Sequence, residues 1–237
     1  MKIDVDIEKI KLSRANPTKK PFDAFKEFSK PELYKPFIIM LTFFAIQQFS
    51  GIFVAFVYAA QFSLEAGVVM DEFLAAVIIG AIRCVATVFV AFAADKFGKK
   101  PLVIGSGIGM FLCMVGLAIC AAFTLNDKTL SWLPATFLFG YIFAGTFGIL
   151  TLPFAMVAEM YPQKSRGFAA GITMCLAYLV SFAVIKTFTD VFELFGNVVV
   201  FSFYALVCAL GVIFGIFILP ETNGKSLQDI ENYFKKK

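Results

Sequence analysis

The chain has 237 residues, 59% of them hydrophobic and only 16% charged, with 31 phenylalanines and a mean hydropathy of +0.83. That balance excludes a soluble domain of this length, because so much apolar surface needs a bilayer to cover it. The net charge of +4 is uninformative as a total, and the absence of histidine removes the commonest general base and zinc ligand, which argues against an enzyme.

Residues 1–35 are polar and carry nine Lys or Arg interleaved with acids. No apolar core follows the basic start, so this stretch does not read as a signal peptide. Asp23 to Phe28 suits a short amphipathic helix on a membrane surface, and the first twenty residues suit a solvated tail. Six apolar runs follow, at roughly 37–60, 73–94, 102–123, 132–158, 167–189 and 197–219, each long enough to cross a bilayer. No run shows the alternation of a transmembrane β-barrel, so an all-α membrane protein is expected. The expected organisation is a linker or tail over 1–35, a six-helix bundle over 36–219 and a C-terminal tail over 220–237. Lys and Arg gather before the first run, at Lys96, Lys99 and Lys100, at Lys164 and Arg166, and after the last run, whereas the loops of the other face hold only Lys128, beside Asp127. The positive-inside rule therefore places both termini in the cytoplasm.

Within the first run, Gln47, Gln48 and Ser50 interrupt an apolar sequence. Amides at that depth have no water to bond, so they face either other helices, as glue, or a wet cavity. On a continuous helix Gln47, Gly51, Val54 and Tyr58 share one face, and Gly51 leaves room for close approach. Arg83 falls near the middle of the second run. An arginine there costs roughly 2.5–3.5 kcal/mol on insertion scales and turns toward the bundle interior. Gly80, Arg83 and Thr87 form one stripe, read either as facing the cavity of Gln47 or as a structural arginine held by backbone carbonyls. The fourth run contains Gly140, Gly145, Gly148 and Pro153. It is expected to kink or unwind, either as a static packing feature or as a gate at 145–154 that Phe154 swings over. The five cysteines lie in apolar runs and are read as packing thiols without metal-ligand spacing.

Asp95-Lys96-Phe97-Gly98-Lys99-Lys100-Pro101 makes a tight hairpin between the second and third runs. Glu159 and Arg166 flank the next loop of the same side, so an ion-pair network that closes that side is expected.

These residues resemble the sugar porters of the major facilitator superfamily, and within it the insect facilitated trehalose transporter-like members. The resemblance rests on Gln47 to Ile52, on Asp95 to Lys100, on Glu159 with Arg166, and on Pro220 to Ser226. It covers about residues 30 to 230 and fits the family's C-terminal half, the last six of twelve helices. The resemblance implies alternating access around a midplane sugar site, with Gln47 and Gln48 bonding sugar hydroxyls and the charged rim residues locking the cytoplasmic side. Phe53 stands where the family has asparagine, Val57 replaces the first of paired tyrosines with Tyr58 kept, the gate reads Gly148-Ile149-Leu150-Thr151-Leu152-Pro153-Phe154, and the later asparagine falls near Ala177. Such a pocket is poorer in polar partners than the family's.

The expectation is facilitated diffusion of trehalose or a hexose, the chain being half of the full transporter. Gln47, Gln48, Tyr58 and Arg83 would bind substrate. Gly148, Pro153 and Phe154 would gate. Asp95, Lys96, Gly98, Lys99, Lys100, Glu159, Arg166 and Glu221 would lock one side. The alternative is a non-transporting membrane scaffold. Expected partners are the sugar, the bilayer of the plasma membrane and a missing N-terminal half, with no cofactor, metal or nucleic acid.

Overall fold

The computed structural model describes residues 31–68, 71–123, 132–163, 165–225 and 227–236. The short amphipathic helix expected at Asp23–Phe28 and the loop charges Asp127, Lys128 and Lys164 lie outside the described residues.

Regular structure among the described residues is entirely helical. The first apolar run forms α1 (Pro31–Phe49), α2 (Ile52–Val57) and α3 (Ala59–Glu65). The second and third form α4 (Glu72–Phe97) and α5 (Lys99–Phe123), and the fourth forms α6 (Leu133–Thr146) and α7 (Leu152–Met160). The fifth and sixth are joined in α8 (Arg166–Phe217), and α9 (Leu227–Lys236) lies in the C-terminal tail. Among the described residues, Phe73–Phe97, Lys99–Phe123 and Arg166–Phe217 are long and apolar enough to cross a membrane. α8 changes direction at Gly196, where φ is 76° and ψ is 161°.

The expectation of one continuous helix in the first run needs correction. At Gly51 the chain turns with φ of 82°, a left-handed conformation that disfavours any side chain. A Cβ there would lie 2.6 Å from Cε2 of Tyr204, so the tyrosine ring fills the room that glycine leaves. A second interruption falls at Tyr58, with φ of −107° and ψ of 44°. The face that a straight helix would give Gln47, Gly51, Val54 and Tyr58 is therefore divided twice.

α5 lies along α8 and α6, and α1 lies along α8. Where α3, α6 and α8 meet, Phe62 stacks on Tyr141 at 6.4 Å, Phe188 at 6.0 Å and Tyr204 at 6.5 Å between ring centroids. Such aromatic pairs add directional preference to plain burial. Phe73, Val77, Phe89 and Phe92 of α4 are exposed, which suits a helix side facing lipid chains. The tail helix α9 doubles back onto α1. It buries Ile230 and Phe234, and Lys35 Nζ donates to the Phe234 carbonyl at 3.3 Å.

Candidate functional site

Breaking a helix frees carbonyls and amides that a bilayer cannot satisfy, so protein groups must do so. The fourth run unwinds between Thr146 and Leu152, as its glycines predict. Pro153 sits in the first turn of α7, where its missing N–H is no loss. Ser106 of α5 reaches both sides of the break, donating to the Ala144 carbonyl at 2.7 Å and accepting from the Ile149 amide at 3.1 Å. Gln47 Nε2 donates to the carbonyls of Ile149 at 3.1 Å and Leu150 at 2.7 Å. Thr151 Oγ1 adds a bond to the Thr146 carbonyl at 2.7 Å. Gly148 packs so close that a Cβ would lie 2.5 Å from Cβ of Ser106. Phe154 is half-buried and meets Phe44 edge-on at 5.3 Å.

Two broken helices therefore face each other, and Gln47 is the link. Its side chain is 0% exposed and its Nε2 is spent on the break, yet its Oε1 has no partner. Gln48 is 2% exposed, and its Oε1 is likewise unpartnered. A buried acceptor without a donor costs about 1–3 kcal/mol. Two in adjacent residues mark a place where stability has been given up. Ser50 closes the turn, its Oγ donating to the Gln47 carbonyl at 2.8 Å, while the Tyr141 hydroxyl donates to the Ser50 carbonyl at 2.8 Å. The Tyr58 ring stacks on Phe188 at 5.3 Å.

Arg83 finds an aromatic neighbour. Its guanidinium carbon stands 3.4 Å from the centroid of the Phe56 ring, and no hydrogen bond joins it to Gln47, whose Oε1 is unpartnered and whose Nε2 serves Ile149 and Leu150. The turn at Gly51 reorients α2, and the aromatic ring that α2 carries takes the arginine. Gly80 and Thr87 are exposed, with the Thr87 hydroxyl bonded to the Arg83 carbonyl at 2.8 Å.

At the charged rim, Glu221 is the organising group. Its carboxylate accepts from the amides of Lys99 at 3.1 Å, Lys100 at 3.0 Å, Thr222 at 3.0 Å and Asn223 at 2.9 Å. The first two open α5, so the carboxylate caps that helix and meets its positive end. Partial burial pushes the Glu221 carboxyl up, and the four amide bonds outweigh it, leaving the group below its ordinary value. Gly98 makes this approach feasible, since φ is 87° and a Cβ would lie 2.7 Å from Glu221 Oε2.

Lys99 is buried and its ammonium pairs with the Glu159 carboxylate. Thr222 Oγ1 donates to the same carboxylate oxygen at 2.9 Å. Asn223 Nδ2 bonds the Asp95 carbonyl at 3.0 Å, and Lys100 Nζ bonds the Ile216 carbonyl at 2.8 Å. Two expectations change here. Glu159 does not take Arg166, because Lys99 at the start of α5 and Thr222 already hold it, and Nε and Nη2 of Arg166 are buried without a partner. The side chains of Asp95 and Lys96 are exposed and lie outside the network, with Lys96 Nζ 5.6 Å from the Phe97 ring. Ser106, Tyr141 and Asn223 were not singled out from sequence. A hydroxyl inside an apolar run was the available signal for Ser106.

A cavity of about 350 Å³ opens among Phe49, Val184, Phe188, Phe195, Val199 and Tyr204. Its walls are apolar apart from Thr187, whose hydroxyl is bonded to the Ala183 carbonyl at 2.9 Å, and Tyr204. It offers few polar partners to a polyhydroxylated ligand.

Comparison with known proteins adds the family. The model described as "Sugar (and other) transporter" matches residues 2–234. The facilitated trehalose transporter Tret1 of Polypedilum vanderplanki is 32% identical over 212 residues, covering 88% of this chain and 42% of that protein. A Tret1-2 homologue of Drosophila simulans is 35% identical over 200 residues, covering 83% and 41%. The chain therefore spans less than half the length of the curated relatives it matches. Among solved structures, a double-tryptophan variant of XylE superposes with a TM-score of 0.75 at 25% identity, covering 84% of this chain and 43% of that one. The inward-open xylose transporter XylE from E. coli has the same fold, with a TM-score of 0.73 over 97% of this chain and 46% of that one. Paired glutamines, a glycine-turned basic hairpin, its acid partner and a carboxylate cap thus coincide with a family-model match across nearly the whole sequence, and the chain belongs to the sugar porter family of the major facilitator superfamily, a family of membrane transporters.

Proposed function

We propose that this chain is the C-terminal six-helix half of a facilitative transporter for trehalose or a hexose, working by alternating access in the plasma membrane with both termini cytoplasmic. The single observation that carries the reading is the pair of buried, unpartnered amide oxygens of Gln47 and Gln48 between two broken helices. Sugar hydroxyls are donors of the kind these acceptors lack, and irregular backbone at membrane depth belongs beside a solute path. Tyr58 offers a hydroxyl and a ring on the same segment. Gly148, Pro153 and Phe154 form the movable element, and Phe154 leaves Phe44 when it opens. Gly98, Lys99, Lys100, Glu159 and Glu221 hold the cytoplasmic side shut, flanked by Asp95 and Lys96, while Arg166 awaits the N-terminal half. The six spans arise if α1–α3 and α6–α7 each cross once and Gly196 divides α8.

A non-transporting scaffold is the second reading, favoured by the commitment of Gln47 Nε2 to the helix break. Equilibrium binding of radiolabelled glucose and trehalose to the purified chain in lipid nanodiscs separates the two. Saturable binding is expected, and Gln48→Leu should abolish it while the melting temperature stays level or rises, because an unsatisfied amide has been removed. Absence of saturable binding, or binding untouched by Gln48→Leu, refutes the transport reading.

A further inference from the structure

Arg83 stands eleven residues from Glu72 and fourteen from Phe97 within α4, so it is roughly 16 Å and 21 Å from the helix ends at 1.5 Å per residue. A side chain of its length does not bridge either distance to the surface. Among the described residues no carboxylate pairs with it, and none of the six apolar runs contains an Asp or Glu. Its Nε is buried and unpartnered, and its one close neighbour of note is the face of Phe56. That contact steadies the cation but leaves the edges of the guanidinium, where its hydrogen bonds point, without acceptors. The surroundings are open on one side. Gly80 and Thr87, one turn either way, are exposed, and nothing lies within 4 Å of where a Gly80 side chain would begin. Phe56 is 43% exposed, and it belongs to α2, which follows directly from the Gln47–Gly51 segment.

A half-buried guanidinium held against an aromatic face, its Nε without a partner and with open space beside it, is arranged for a planar or tetrahedral oxyanion, which it bonds through two parallel N–H groups. We infer that Arg83 is an anion-recognition point on the solute path, so that the preferred cargo is a hydroxylated compound bearing a carboxylate or phosphate, such as a sugar acid, and not a neutral sugar. The inference rests on the transport reading above and shifts its preferred substrate from neutral sugars to their anionic derivatives, with weaker but saturable glucose binding retained. It also accounts for the shortage of polar partners around the glutamines, because one charge-assisted contact replaces several neutral ones.

The test compares radiolabelled glucuronate, glucose 6-phosphate and glucose binding to the purified chain in phosphatidylcholine nanodiscs at two salt concentrations. Glucuronate or glucose 6-phosphate should bind at least tenfold more tightly than glucose, with an advantage that shrinks as salt rises. Which of the two binds better distinguishes carboxylate from phosphate as the recognised group. Arg83→Gln should bring the anion-to-glucose affinity ratio to about one, and Arg83→Lys, which keeps charge without the fork, should restore part of it. Saturable glucose binding with no preference for either anion overturns the inference while leaving the transport reading in place. An anion preference that survives Arg83→Gln overturns the assignment to this residue, and no binding of any of the three overturns both readings.

Discussion

Glu221→Ala removes one carboxylate and with it four backbone hydrogen bonds spread over two segments. Loss of a helix N-cap costs about 0.5–2 kcal/mol, and the amides of Thr222 and Asn223 lose roughly 1 kcal/mol more as a net contribution. Because the residue is only half-buried, we take the lower part of these ranges, about 2 kcal/mol in all. For a chain of this size each kcal/mol moves the melting temperature by about 2–4 °C, so a drop of about 4–8 °C is expected. The pH dependence has a definite sign. The folded carboxyl titrates below its unfolded value, so its contribution is complete at neutral pH and is lost as the pH falls through the folded value, below about 4.3. Far-UV circular dichroism melts of the wild type and variant in detergent, run from neutral pH downward, measure both effects. The two curves should be separated at pH 7 and converge in acid, while Glu221→Gln should show a smaller loss and little of the convergence. A melting temperature unchanged by Glu221→Ala, or a gap that persists below the carboxylate range, would refute the capping argument.

Ser106→Ala orphans the Ala144 carbonyl and the Ile149 amide at membrane depth. A destabilisation of about 2–4 kcal/mol follows from two unsatisfied buried groups, read as a lower melting temperature and faster hydrogen exchange at Ile149. Equal exchange in the two proteins would show that Ser106 does not hold the break. At the rim, Glu159→Gln should destabilise more than Lys99→Met, since the first leaves a buried ammonium unpaired and the second removes it. Parallel melts decide this, and a larger loss for Lys99→Met contradicts the assignment of burial to the lysine.

The helical character of the chain and the weakness of its fourth run are local properties, and they were legible without coordinates. Apolar length, the missing alternation and the cluster of Gly145, Gly148 and Pro153 act within a few residues of one another, and the unwound segment lies where they put it. The family motifs were legible for the same reason, as short contiguous strings. The break at Gly51 was not, because it depends on Tyr204 of α8 filling the space beside a left-handed glycine. Helix interruption in the first run therefore has a partner 153 residues away, which no window of local sequence contains.

The same distance governs the site. Polar residues at depth could be picked out as candidates from sequence alone, since any amide or guanidinium inside an apolar run must find a partner. Which partner it finds is a question of packing. Gln47 meets carbonyls 102 and 103 residues downstream, and Glu221 meets amides 121 and 122 residues upstream. Glu159 carried the right charge for Arg166, but the start of α5 brought Lys99 to it first. Hydrophobicity and charge, being properties of composition and short spacing, determined that this is a helical membrane chain with buried polar groups; only the tertiary structure decided which of those groups are satisfied, because a hydrogen bond is settled by ångström-scale distance between elements that lie far apart in sequence.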